Sequence, residues 1–158
     1  MILNTEQKNI DNKENNYFHI LARGIIFDKD YVLVVKAKNA DNTFLPGGHL
    51  GFNENLKQAL NREIMEEIGI DCRINNYIGC IENQWTENNV INQEINHIFL
   101  VDGINKNMEI NSKEEHLEIY WIKIKDMEKE NLLPYSMREI IEDVYNKNNG
   151  IYYISEIE

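Results

Sequence analysis

Apolar positions along the chain follow two rhythms, and the change from one to the other marks out its elements. After a polar leader over residues 1–16, "YFHILARGIIF" (17–27) and "YVLVVKA" (31–37) are dense in β-branched and aromatic residues and flank "DKD". That pattern predicts two strands joined by a tight turn. "KNADNT" reads as loop, "FLPGG" as a short extended segment stopping at Pro46-Gly47-Gly48, and "HLGFNE" as loop again. The spacing then lengthens. Leu56, Leu60, Ile64 and Ile68 recur every four residues with Ala59 beside them, which predicts a helix from about Leu56 to Ile68. Asn55 is placed to cap it, Gln58 stands where the reciprocal capping-box partner belongs, and Gly69 supplies a left-handed stop. Downstream, "CRINNYIGCIEN", "QEINHIFLVDG" and "HLEIYWIKI" return to strand-like patterning, separated by the polar stretches "QWTENNV" and "INKNMEINSKEE". "PYSMREIIEDVYNKNNG" closes with a second helical pattern, Pro134 near its start and Gly150 just past its end.

The order β-β-β-α-β-β-β-α predicts an α/β fold, a mixed sheet sandwiched between helices. No repeat or linker divides the 158 residues, so one domain is expected over 17–150, followed by a short tail over 151–158. The amino terminus lacks a basic region followed by an apolar stretch, and no run is apolar enough to span a membrane, so a cytoplasmic protein without membrane partners is expected. Cys72 and Cys80 have neither zinc-site nor disulfide-framework spacing and read as free thiols. A formal charge of -11 opposes binding of polymeric nucleic acid, which needs lysine and arginine to neutralise phosphates. Small phosphorylated ligands stay open, because a divalent cation held by carboxylates reverses the local field.

Charge is most concentrated in "REIMEEIGI" (62–70). Glu63, Glu66 and Glu67 stand at i, i+3 and i+4, so a helix brings them onto one patch. Like charges at that spacing cost a helix roughly a few tenths of a kcal/mol per pair. They also lie in the carboxyl-terminal half, where the macrodipole favours cations. A hard divalent ion removes both penalties, and magnesium suits a few carboxylates while keeping waters for phosphate oxygens to displace. An acidic solvated helix face is the bland alternative, and the helix alone does not exclude it.

The residues around it do more. Gly48, Glu54, Arg62, Glu63, Ile64, Glu66, Glu67, Gly69 and Ile70 spell G-x5-E-x7-R-E-U-x-E-E-x-G-U with U aliphatic, and every defined position of the Nudix box is matched. The chain thus resembles the Nudix hydrolase family from about Phe18 to Met127, with "FLPGGHL", "INQEINHIFLV" and "EEHLEIYWIKIKDM" similar to family segments on either side of the box. The resemblance implies an α/β/α sandwich and hydrolysis of a nucleoside diphosphate linked to another moiety, with Mg2+ or Mn2+ as cofactor. A small nucleotide-type substrate is the partner implied, and a homodimer is left open. A Nudix-like module that binds a nucleotide without turning it over is the alternative function. Glu63, Glu66 and Glu67 match the family's metal ligands, while Arg62 organises carboxylates, including that of Glu54. The general base differs among members. Glu66, Glu67, Glu114 and Glu115 are candidates, with Glu115 preferred by its distance from the tryptophan of "EIYWI" and Glu94 on a strand as an alternative. Gly51 and Asn53 depart from the common loop pattern "GGxxExGE". His19, His49, His97 and His116 form no ligand spacing and read as structural or exposed. Trp85, Tyr77 and Phe18 offer stacking surfaces but fit strand cores equally well. No substrate marker of a particular branch is recognised.

Overall fold

A computed structural model describes residues 16–158, so the polar leader lies outside the described residues except for Asn16, whose side chain accepts the Ile91 N–H. The elements in order are β1 (Tyr17–Asp28), β2 (Tyr31–Ala37), β3 (Gly47–His49), α1 (Leu56–Glu67), β4 (Arg73–Glu87), β5 (Val90–Asp102), β6 (Leu117–Lys123), a short 3-10 turn (Ile124–Asp126), α2 (Met137–Tyr145) and β7 (Tyr152–Ser155). The strands form one mixed sheet in the order β6-β2-β1-β5-β4-β7, with β3 paired to β1 off this path. Parallel pairing of β1 with β5 runs from Tyr17–Asn92 to Ile26–Val101 and fixes the centre of the molecule.

Strand alternation explains why helices cover both faces. Ala22 and Ile26 of β1, Leu33 of β2, and Phe99 and Val101 of β5 turn to one side, where Leu60, Ile64 and Ile68 pack on them. Ile25, Val32, Val34 and Ile98 turn to the other, under Met137, Ile140 and Ile141 of α2. Each side chain buried there removes about 1.5–3 kcal/mol of apolar exposure, so the stripe on α1 holds the glutamates' backbone rigidly against the sheet. The expected α/β sandwich is the fold observed.

The capping of α1 is as its sequence implies. Asn55 Oδ1 accepts from Gln58 N at 3.0 Å, Gln58 Oε1 accepts from Asn55 N at 2.8 Å, and Gly69 leaves the helix at φ +76. Three segments differ from expectation. "QWTENNV" is mostly strand: β4 and β5 continue past the core and meet at Asn88 and Asn89, both with positive φ (51 and 62), as a two-residue hairpin turn requires. Polar residues outnumber Trp85, Val90 and Ile91 there and blur the alternation, while the backbone ladder carries on. The second helix ends at Tyr145, and Lys147, at φ 61, turns the chain out well before Gly150. Residues 152–155, expected as tail, add strand β7 parallel to β4, with Tyr152 and Ile154 packed against the α2-side core. Among the described residues no helix is long and apolar enough to cross a membrane.

Candidate active site

Short-range sequence and long-range pairing meet at the start of α1. Strand β3 is antiparallel to β1, with Gly48 opposite Ala22, and delivers Gly47 and Gly48 to the flank of the glutamate helix. A Cβ on Gly47, at φ +127, would lie 2.0 Å from the Ala22 carbonyl oxygen. At Gly48 it would lie 2.5 Å from the carboxyl carbon of Glu63. At Gly47 only glycine fits, because the clash is with backbone, whereas at Gly48 an added Cβ would have to push the end of the Glu63 side chain aside.

Arg62 is the hub of the charged groups. Its Nε and Nη2 donate to the two oxygens of Glu54 at 3.1 and 2.7 Å, a bidentate pair, and Nη1 donates to Glu63 at 2.7 Å. Nη2 also reaches the His49 carbonyl at 3.1 Å, and Nη1 stands 3.6 Å from Glu66. Glu54 is itself anchored by the Gly51 N–H at 2.6 Å. The guanidinium hydrogen bonds hold the Glu54 carboxyl below the usual carboxylate range, with the Gly51 amide adding to the effect. Reciprocally, the bond to Glu54 raises the Arg62 pKa, followed by the bond to Glu63. The bracing role expected of Arg62 and Glu54 is what their geometry permits.

Glu67 differs from its neighbours on the helix. It is 5% exposed, its Oε2 accepts the Gly47 N–H at 2.8 Å, and burial pushes its pKa up to about 8. The Gly47 bond and the Arg23 charge oppose that rise, whereas Glu63 and Glu114 reinforce it. Desolvation is the largest influence and makes the ionised form costly unless a cation shares the site.

The three box glutamates share one turn of α1, as their spacing predicts, but Glu63 and Glu66 lie on Arg62 while Glu67 is held by Gly47. Among the described residues no group of three His, Cys, Asp or Glu side chains stands together as a ready metal site. The glutamates' chemistry fits a hard divalent ion: the donors are all oxygens, and one carboxylate is buried without a full counter-charge.

The late loop has a register that its sequence did not reveal. Its backbone is tied to the end of α1 by Asn111 N to the Ile68 carbonyl and Lys113 N to the Glu66 carbonyl, each at 2.9 Å. Glu114 is the loop carboxylate whose field reaches Glu67, whereas Glu115, the expected candidate, is exposed. Glu94 bonds Asn96 at 3.0 Å and faces a different space, a cavity of about 460 Å³ beside the box.

That cavity is joined to the glutamate site through Arg23. Its Nη1 donates to the carbonyls of Leu45 (3.1 Å) and Gly47 (2.8 Å), and its Nε to Asn96 Oδ1 (3.3 Å). The guanidinium lies over the Phe44 ring. Asn96, almost wholly buried, passes its amide protons to Asn83 and Glu94. Arg23 and Asn96 escaped the sequence reading: Arg23 is a lone charge within an apolar strand, which was the available signal, whereas Asn96 stands among Asn92, Gln93, Glu94 and His97, where one more amide has no contrast. His19 and His49, read separately as structural or exposed, are brought ring to ring, Nδ1 to Nε2, at 2.9 Å. Burial first, and then the neighbouring His19, lowers the His49 pKa.

Comparison with known proteins gives this geometry its class. The model of the NUDIX domain matches residues 18–144, and the chain belongs to the Nudix hydrolase family, a class of pyrophosphohydrolases. Among solved structures it is similar to a MutT protein from Methanosarcina mazei Go1 (TM-score 0.68, 23% identity, 85% of this chain and 98% of that one). It is similar also to a MutT NUDIX hydrolase from Burkholderia pseudomallei (0.64, 20%, 82% and 99%). An ADP-ribose pyrophosphatase from Streptococcus suis 89-1591 shares the fold as well (0.62, 16%, 87% and 98%). A search of curated protein sequences returns no match.

Proposed function

We propose that the chain hydrolyses a pyrophosphate bond in a nucleoside diphosphate derivative, with water attacking phosphorus and a divalent cation as cofactor. The observation that carries this reading is the buried Glu67 carboxylate, held by Gly47 beside Glu63 and within reach of the fields of Glu63 and Glu114. Such a group is costly as a structural device and useful as a cation ligand. Mg2+ or Mn2+, when bound, would neutralise phosphoryl charge and lower the pKa of a coordinated water. Glu63, Glu66 and Glu67 would hold it.

The chain's own residues do the rest. Arg62 keeps Glu54 and Glu63 oriented and offsets their repulsion, so that little reorganisation is needed when the ion and substrate enter. The Gly47–Gly48 segment supplies close backbone approach beside the helix. For proton removal from water, Glu66, Glu67 and a late-loop carboxylate remain the candidates, and within that loop Glu114 is better placed than Glu115. Similarity to an ADP-ribose pyrophosphatase and to a UDP-X diphosphatase supports a substrate of the nucleoside diphosphate class without choosing among its members.

Glu67→Gln tests the reading directly. Magnesium-dependent release of nucleoside monophosphate from a panel of nucleoside diphosphate derivatives should fall about a thousandfold, as expected when a ligand to a catalytic ion is lost. Undiminished release by the variant would overturn the metal assignment. Tight binding by the wild-type protein with no phosphate release would point instead to a nucleotide-binding module.

A further inference from the structure

The cavity beside the box has a lining that sorts by chain origin. The connection from β2 to β3 contributes Phe44 and Leu45, and the segment before α2 contributes Leu133 and Pro134. Strands β4 and β5 contribute Asn83, Gln84, Glu94 and Asn96. Glu156, just past β7, completes the polar part. A ring-shaped ligand part therefore meets apolar surface from two connections and hydrogen-bonding groups from the sheet.

The charges in this lining are specific about what they accept. Glu94 and Glu156 are carboxylates, and Arg23 is the one cation in the lining. Arg23 is already engaged with two carbonyls and the Asn96 amide. Asn96 spends both amide protons on Asn83 and Glu94, which orients both of them from beneath. Glu156 is pinned twice: its N–H donates to the Glu82 carbonyl at 2.8 Å, and its Oε1 accepts the Ser136 N–H at 2.6 Å. A carboxylate fixed in this way cannot swing aside for an anion. It rewards a donor, since a hydrogen bond to a charged acceptor is worth roughly tenfold or more in affinity over its loss.

We infer that Glu156, together with Glu94, makes this cavity the specificity pocket for an uncharged ring bearing N–H or O–H donors at its edge. The inference rests on the pyrophosphohydrolase reading and adds the part of the substrate that does not react. Glu156 lies outside the residues that match the family model, so this selection belongs to the chain's own carboxyl-terminal strand rather than to the box. Two substrate parts carry that chemistry, an amino-bearing nucleobase and a neutral sugar.

Two substrate pairs separate them. CDP-glucose against UDP-glucose replaces the amino donor at position 4 of the base with a carbonyl acceptor and places an N–H at N3, while UDP-glucose against UDP-glucuronate places an anion on the sugar. If the base occupies the pocket, the cytosine compound is preferred about tenfold or more in kcat/KM. If the sugar occupies it, glucuronate is disfavoured by about as much, through carboxylate repulsion. In either case Glu156→Gln, which keeps an acceptor for Ser136 but removes the charge, brings the affected ratio toward unity; should that variant fail to fold, Glu94→Gln is read in its place. Both ratios within threefold in the wild-type protein, or a ratio untouched by the variant, overturn the inference and leave Glu156 as a cap on α2. If none of the compounds is hydrolysed, the functional reading fails separately. Shifts of the indole resonance of Trp85, which also lines the cavity, on titration with cytidine, uridine, glucose and glucuronate then judge the pocket by the same comparisons.

Discussion

The glutamate helix and the neighbouring cavity lie on either side of Arg23 and are built in opposite ways. Every side chain of the Arg62 hub comes from residues 48–67, a contiguous stretch whose elements are β3, one loop and α1. The cavity draws on positions as far apart as Arg23 and Glu156 and exists only because β4, β5 and β7 pair as they do. One region carries concentrated charge that a local network restrains. The other carries a mixed surface in which polar residues of several strands meet apolar residues from two connections. Reaction chemistry can thus stay written in a compact segment, while selectivity is left to parts of the chain that are free to vary in length and sequence.

That division is open to attack, most sharply at Gly48. A Cβ there meets the far end of Glu63 rather than backbone, so Gly48→Ala should fold while displacing the carboxylate. We expect turnover to fall about a hundredfold for every substrate with less than about 1 kcal/mol lost in denaturant unfolding. A loss confined to some substrates would show that the two regions are not separate.

A smaller effect concerns protons. Glu67 has its folded pKa raised to about 8 from a reference of 4.5. Its contribution to stability is therefore complete below the lower value and lost as pH rises through the upper one, because the unfolded chain ionises first. Metal-free protein should lose on the order of a few kcal/mol between about pH 5 and 9 from this group. Glu67→Gln should flatten that part of the profile, and magnesium should restore wild-type stability at the alkaline end. Parallel unfolding curves for wild type and variant would remove Glu67 as the cause.

The smallest effect lies at the helix start. Asn55→Ala removes one arm of the capping box and should cost about 1 kcal/mol, measured by thermal unfolding, with kcat/KM changed less than about twofold. A large activity loss would mean that the helix end, and not the Arg62 hub, sets the carboxylates' positions.

Much of the glutamate region was legible because its determinants are local. A four-residue apolar spacing fixes which way α1 faces, Asn55 and Gln58 fix where it begins, Gly69 fixes where it stops, and the i, i+3, i+4 relation puts the glutamates on one turn. The order of strands and helices likewise implied a sheet with helices on its faces. Legibility failed where the signal was not in side-chain hydropathy. The outer ends of β4 and β5 are largely polar, β7 is four residues long, and neither pattern differs from a loop until a partner strand is present.

The amino-acid sequence by itself determined the helix, its caps, the glutamate patch and the family, since each depends on residues within a few turns of one another. Only the tertiary structure decided that Glu67 is buried and Glu66 is not, that Glu114 is half-buried where Glu115 is exposed, and that Arg23, Asn96 and Glu156 share a cavity. Burial, field and enclosure are properties of what the chain brings near from far away. They arise when strands distant in sequence pair, and no local pattern encodes which distant residue will arrive.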